Sequence, residues 1–409
     1  MVDIRDFGAV RDGETDNTAA IKAAIERCRA LGGCTLRFGP GRWVSYPLRL
    51  YSNFDVVLEE DCTLMAITES AKWPSIPYKE YPLVPASEPH PVKMGFIHAV
   101  GSRNVTIRGG GKVDGQGQYW WRSQVPPDTR PHLLLLVGIT GLTVRDITLE
   151  NSPKWTLHPM RSKDVHIENV HVLNPLNNDK GTNGIVIDSC EDVYVTKCTV
   201  DTGYKEDAFA VKSGSDWWGR NVSAPSRNVL FEDNDVMDGH ALSIGSEMSG
   251  GVYNVTFRDI RLLGHKGKHR GTGCIRIKSA RGRGGVVDGV TFDRITGHDV
   301  IYGVEFYMYF SKGKNRLANA TATPVVRNVN VTNVHFTNVH REGFIIGGLP
   351  ESPFQNLLFE NVTLSNVKQD KWRCTKYKQC TWKGGGCALG RAVNVSPAPA
   401  AGCLRATAP

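Results

Sequence analysis

The stretch "GYKEDAFAVKSG", residues 203–214, places Glu206 beside Asp207 at the mouth of an alternating apolar run. Neighbouring residues of a regular strand point to opposite faces, so both acids reach one cleft only from the turn before it. Two close carboxylates raise each other's proton affinity, which keeps one protonated and leaves the other ionised. An acid and a base held together are what hydrolysis of a glycosidic bond needs: one protonates the leaving oxygen, the other activates water. Two solvated turn acids are the plain alternative.

Further candidates lie downstream. His240 beside such a pair can tune the acid or relay a proton, although a lone histidine is more often a surface or satisfied residue. Arg276 and Lys278 are two apart, so they share a face of a strand and are able to hold a carboxylate. Structural pairing with Glu206 or Asp207 is their alternative role. Trp217 and Trp218 follow the acidic run and suit stacking on sugar rings, with core or edge packing equally in view. Tyr307 is a further candidate for substrate binding. The basic stretches "HKGKHRG" (265–271) and "RGRGG" (281–285) favour an acidic polymer if they border the cleft, and are solvated loops otherwise. "DGQGQYWW" (114–121) reads as a structural turn with buried aromatics.

These residues need a scaffold that gathers distant positions. One pattern recurs: "LTVRDITL" from Leu142, "VHIENVHV" from Val165, "VYVTKCTV" from Val193 and "VLFEDNDV" from Val229. It returns in "VTFRDIRL" from Val255, "VNVTNVHF" from Val329 and "LLFENVTL" from Leu357. Alternation with period two means half-buried strand. Repeats of roughly 23–39 residues without intervening helices predict an all-β parallel β-helix with loops inserted into its coils. A second series, "NGIVIDS", "EDAFAVKSG", "GHALSIGS", "GCIRIKS" and "YGVEFYMYF" (302–310), supplies the matching strands of successive coils. Stacked about 4.8 Å apart, these strands are expected to bring Asn183, Glu206, Asp207, His240, Arg276 and Lys278 to one surface.

Residues 16–33 carry apolar residues at helical spacing, with Asp16 or Asn17 as N-cap and glycines as the stop. That helix is expected to cap a solenoid forming one domain over 1–409. Residues 66–95 read as a long Pro/Ser-rich loop, 313–324 as another loop, and 368–409 as an irregular tail.

The 409 residues include ten cysteines, four of them in the tail: Cys374, Cys380, Cys387 and Cys403. Their gaps do not match zinc spacing, so disulfides and an oxidising compartment are expected. Seven N-x-S/T sequons, at Asn104, Asn221, Asn254, Asn319, Asn330, Asn361 and Asn394, point the same way, although several belong to strand starts. No apolar run of about 18 residues exists, so no membrane span is expected. The start has no basic n-region or apolar h-region, so either the protein is cytosolic or a signal peptide has been removed; the cysteines and sequons favour a secreted or cell-wall protein. A net charge of +8 fits a soluble basic protein and, more sharply read, an anionic polymer as partner. Nucleic acid and membrane are not expected as partners, and a capped solenoid is expected to be a monomer.

The segments "DFGAVRDGETDNTAAIKAAI", "GGGKVDGQGQYWW", "GSEMSGGV" and "IRIKSARGRGGVV" resemble the polygalacturonase family of glycoside hydrolases, family 28, in its plant-type branch. The similarity runs from about residue 3 to about residue 366. It implies a right-handed parallel β-helix and inverting hydrolysis of galacturonate-containing pectin with no cofactor and no metal. It places the family's Asn-Thr-Asp motif on "GTNG" (181–184), with Asn183 where an aspartate is expected. Glu206 takes the general-acid place and Asp207 a water-activating place. Gly239, His240 and Ala241 match the Gly-His-Gly motif, and Arg276 and Lys278 the Arg-x-Lys that binds galacturonate. Three features depart from the pattern. An amide does not accept a proton, so Asn183 is limited to hydrogen-bonding the water. Glu206 adds a methylene, and Tyr204 and Lys205 look inserted. The long 66–95 loop suits attack at chain ends. Alternatives are a related hydrolase on another plant or algal glycan, a catalytically impaired carbohydrate-binding member, and a calcium-dependent lyase on the same solenoid.

Overall fold

The computed structural model describes residues 1–76, 93–174, 181–203, 206–264, 273–310, 321–369, 372–373, 388–398 and 403–404. They belong to two compact units, Met1–Glu206 and Asp207–Pro409. Both are stacks of parallel strands, and the fold is an all-β right-handed parallel β-helix, the hand that parallel crossovers take.

In the first unit, helix α1 (Thr18–Ala30) buries Ile21, Ala24, Ile25 and Cys28, one stripe at helical spacing. It packs on the 3-10 turn Ile4–Phe7 and the strand Cys34–Phe38, and a Cys28–Cys34 disulfide ties it there. Asp16 Oδ1 accepts from the Thr18 amide at 2.9 Å. The helix stops at Gly32 and Gly33, both at positive φ; a Cβ on Gly33 would stand 2.5 Å from the Asn53 carbonyl oxygen.

The recurring pattern forms long strands. Thr140–Glu150 and Lys163–Leu173 pair in parallel with Leu142 on Val165, Val144 on Ile167 and Ile147 on Val170. The polar pair inside each repeat is a bend: Asp146, Asn169, Asp233, Asp259, Arg294, Asn333 and Asn361 all have φ between 51° and 56°. The short Asp and Asn side chains at all of these but Arg294 tolerate this left-handed conformation and bond locally. They also form ladders, as in Asn361 Nδ2 to Asn333 Oδ1 at 3.2 Å and Asn333 Nδ2 to Asp293 Oδ1 at 2.8 Å.

The second unit stacks Ser226–Asp238, Val252–Leu262, Val286–His298, Val325–Thr337, Phe354–Leu364 and Ala388–Ser396. Phe231, Phe257 and Phe292, one per coil, lie face to face at 4.6 and 5.1 Å. Each buried ring contributes about 1.5–3 kcal/mol relative to exposure.

The second strand series forms a short-strand sheet in each unit. The first has Leu48–Leu50, Ile97–Val100, Leu134–Val137, Leu157–Met160 and Ile185–Asp188. The second has Phe209–Lys212, Ala241–Gly245, Cys274–Lys278, Val304–Tyr307 and Phe344–Gly347, with Trp372–Arg373 after it. The segment 302–310 is thus a genuine member, and Phe344–Gly347, Leu134–Val137 and Leu157–Met160 are members not anticipated. Phe209 touches Phe231, while Phe306 and Phe344 touch Phe359, so these positions face the core and their alternates face out.

The turn expected at 114–121 holds a short helix, α2 (Gly117–Arg122), with Trp120 buried and Tyr119 exposed. Most of the 66–95 loop, "HKGKHRG", much of 313–324, and Cys374, Cys380 and Cys387 lie outside the described residues. Cys403 is disulfide-bonded.

Candidate active site

In the first unit, Asn183 lies just before the strand Ile185–Asp188 and is 4% exposed. Its carbonyl accepts from the Thr156 amide at 2.8 Å, which fixes its backbone on the preceding coil. The amide of Gly181, two residues earlier, donates to Glu206 Oε1 at 2.8 Å. Thr202 Oγ1 donates to the Glu206 carbonyl at 2.9 Å. Glu206 is therefore anchored to the "GTNG" segment. It stands before the strand Phe209–Lys212, as expected for an acid in the preceding turn.

The second unit holds Asp207, His240, Arg276 and Lys278. Outward positions fall in register: Ser243 pairs with Arg276 and Arg276 with Glu305, while Gly245 pairs with Lys278 and Lys278 with Tyr307. Lys278 Nζ donates to both carboxylate oxygens of Asp207, at 2.9 and 2.7 Å. Ser243 Oγ donates to Asp207 Oδ1 at 2.7 Å, and an Arg276 guanidinium nitrogen lies 3.9 Å from that oxygen. The other edge of Arg276 is bound to Glu305, and its Nη1 lies 3.0 Å from His240 Nδ1. The Phe310 ring covers both cations, 5.6 Å from the guanidinium and 5.2 Å from the ammonium.

Burial alone would raise the Asp207 carboxyl, but the charges of Lys278, Lys212 and Arg276 outweigh it and hold the group well below the ordinary range. Burial pulls the Lys278 ammonium down, against Asp207 and with Arg276 and Lys212, to about 8. Asp207 and Lys278 therefore form an ion pair at neutral pH. Mutual carboxylate repulsion is not what governs Asp207; its neighbours are cations.

Beside this cluster, Lys212 Nζ donates to the Gly245 carbonyl at 2.9 Å and to Glu247 Oε2 at 2.6 Å. Arg283 approaches Glu247 at 3.3 Å and Asp216 at 3.4 Å, and bonds Ser215. Ser215 and Asp216 open helix α3 (Asp216–Val222), which carries Trp217, 55% exposed, against Trp218 at 4.8 Å. Arg283 is thus buried and paired, and Arg281 pairs with Glu351, so the basic residues of "RGRGG" are structural rather than solvated. Tyr307 is buried, 6% exposed, with its ring 5.8 Å from Tyr309.

Sequence reasoning missed Ser243, Lys212, Glu247 and Glu305. The available signal was a polar residue at an outward position of an otherwise apolar strand, as in "VEF" and "AVKSG". Among the described residues no group of three or more His, Cys, Asp or Glu side chains is arranged to hold a metal, and no helix is long and apolar enough to cross a membrane.

The model of the family described as glycosyl hydrolases family 28 matches residues 86–385. A probable polygalacturonase of Vitis vinifera is 30% identical over 389 residues, covering 90% of this chain and 76% of that protein. An endo-polygalacturonase of Pectobacterium parmentieri is 28% identical, covering 68% of each. An exopolygalacturonase from Thermotoga maritima has a similar fold, with TM-score 0.80 and 24% identity, covering 96% of this chain and 90% of that one. On the extent of these matches the chain is a glycoside hydrolase and belongs to family 28.

Proposed function

We propose that this hydrolase cleaves galacturonate-containing pectic chains by single displacement, with inversion at the anomeric carbon. The observation that carries the reading is the Lys278–Asp207 ion pair with Arg276 beside it. Without substrate, Asp207 answers the charge of Lys278. A uronate carboxylate at Arg276 and Lys278 competes for that charge, and the weaker cationic field raises the proton affinity of Asp207. The base strengthens when a charged sugar binds and stays weak beside a neutral one.

Glu206 is the general acid. Its Oε1 accepts from the Gly181 amide at 2.8 Å, which fixes the carboxyl in the turn before the strand. Asp207 activates water, Asn183 orients it through its amide, and His240 assists proton transfer. Trp217, with Trp218 behind it, offers a sugar-stacking surface, and Tyr307 supports Lys278 from the next strand. The polymer is extracellular, and the protein is assigned there, acting as a monomer without a cofactor.

Attack starts at chain ends in this reading. Both legs of the 66–95 segment are clamped: Ser75 bridges Lys93, Lys93 Nζ donates to the Ser70 carbonyl at 2.6 Å, and Trp73 lies 5.3 Å from Trp120. Blocking one end of the cleft is the role proposed for this segment on its length alone.

Reducing-end release from polygalacturonate tests the reaction. Monogalacturonate as the sole early product supports chain-end attack; a ladder of oligomers replaces it with internal cleavage. An unsaturated product absorbing in the ultraviolet would mean a lyase. Binding without any product would leave an impaired binding protein. Asn183→Asp is expected to be at least as active as the natural chain.

A further inference from the structure

We infer that Glu305 is a positioning residue: through Arg276 it fixes the His240 imidazole in the tautomer protonated at Nε2. Arg276 and Glu305 are register partners on neighbouring parallel strands, and both are buried, each 8% exposed. Glu305 takes the Nε edge of the guanidinium. That leaves Nη1 aimed at His240 Nδ1, 3.0 Å away. A guanidinium has five donors and no acceptor. The hydrogen therefore runs from Arg276 to His240, Nδ1 is the acceptor, and the single proton of the neutral ring sits on Nε2.

The surroundings hold both partners in place. The backbone of His240 is pressed by Gly273, where a Cβ would stand 2.4 Å from the His240 Cα. The Phe310 ring covers the guanidinium. Burial opposes the charge of Arg276, yet Glu305 and Asp207 keep it firmly cationic. An imidazolium would set an N–H at Nδ1 against that cation. The role open to His240 is then narrow: it donates through Nε2, and any proton it passes on leaves and returns there. A lysine in place of Arg276 offers a point charge without the rigid fork and cannot serve Glu305 and His240 in the same way.

The tautomer is a property of the unliganded protein, and only its catalytic consequence rests on the proposed reaction. Nitrogen-15 labelling of histidine with long-range proton–nitrogen spectra reads it directly, with the His240 signals assigned by their loss in His240→Gln. The expected pattern is a protonated Nε2 and an unprotonated Nδ1 near neutral pH. In Glu305→Gln the guanidinium is released, and the His240 pattern shifts to mixed tautomers. Glu305→Asp keeps the charge with shorter reach and is expected to retain at least part of the Nε2–H pattern, which covers the case where the glutamine variant does not fold. On the pectic substrate Glu305→Gln is expected to lower kcat about tenfold to a hundredfold. A His240 protonated at Nδ1 in the natural chain, or a pattern unchanged in Glu305→Gln, overturns the inference. Failure to hydrolyse any pectic substrate with the expected spectra intact would overturn the proposed reaction alone.

Discussion

In the first unit, the outward positions of the short strands run Arg49, His98, Leu135, His158 across one register row. In the second they run Ala210, Ser243, Arg276, Glu305. The backbone arrangement is the same, and both rows are largely buried. The first row places two buried imidazoles around Leu135, and aromatic rings pack there: the His132 and His158 rings lie 4.9 Å apart, with Trp155 4.7 Å from His158. The Asp188 carboxylate stands 3.5 Å from His158. In the second row Arg276 is bound to Glu305, and two residues along the strands Lys278 meets Asp207 and Lys212 meets Glu247. A solenoid supplies equivalent outward slots on every coil, and the residues in those slots decide whether a face packs or reacts.

The consecutive acids break this comparison most sharply, because Glu206 is held by a backbone amide and Asp207 by a buried ammonium. Glu206→Gln is expected to lower kcat by about 10²–10⁴-fold, the range for losing a general acid. Stability should hardly change, since Glu206 keeps an acceptor for Gly181. Asp207→Asn is expected to cost as much activity and, in addition, about 3 kcal/mol, because Lys278 is left buried without its counter-charge. Kinetics on polygalacturonate and denaturant unfolding separate the two. Equal stability of both variants would mean that the ion pair does not support the second unit.

The charge network also sets an alkaline limit. Lys278 is cationic below about 8 and neutral above it. The substrate carboxylate stays ionised throughout, so kcat/KM is expected to fall about tenfold for each pH unit above that value. Lys278→Arg keeps the cation and should remove this limb, whatever it does to the plateau. A limb that persists in Lys278→Arg assigns it to another group.

The first unit should respond at the opposite end of the pH scale. Burial first, then the neighbouring Lys154, His158 and His98, hold the His132 imidazole well below 6.5. The unfolded chain binds a proton below that value and the folded unit does not, so stability falls as pH drops under about 6.5. The slope is up to about 1.4 kcal/mol per pH unit for one histidine. Melting curves of His132→Phe against the natural chain, between pH 7 and 5, should show a flatter decline for the variant. Parallel declines would clear His132 of the effect.

The sequence carried the long strands plainly, because each repeat alternates and then breaks at one polar position. The bend itself was readable: Asp146, Asn169, Asp233 and Asn333 recur where a left-handed residue is needed. The short strands were harder. Leu134–Val137 and Phe344–Gly347 are buried on both faces, so they lack alternation and look like any apolar run. Within the site, Asp207, Arg276 and Lys278 stood out by charge. Ser243 and Glu305 did not, because their meaning depends on register with a distant strand, and no local pattern encodes that pairing. The tail cysteines were noticed, whereas the Cys28–Cys34 bridge was not, since pairing is a matter of geometry.

The smallest expected effect concerns Trp217, and it tests whether the charged row has an apolar complement. Helix α3 is held from below by Arg220, whose guanidinium donates to the carbonyls of Gly282 and Arg283 at 2.7 and 2.8 Å. Its first turn is held by Arg283 on Asp216. The helix is thus fixed without help from the Trp217 ring, which is the more exposed of the pair. Trp217→Ala should leave the melting temperature within experimental error. Stacking on a sugar ring is worth about 0.5–1.5 kcal/mol, so KM for galacturonate oligomers should rise roughly threefold to tenfold with kcat nearly unchanged. An unchanged KM would restrict recognition to the charged row, and a loss of stability would make Trp217 a packing residue like the aromatic rings of the first unit.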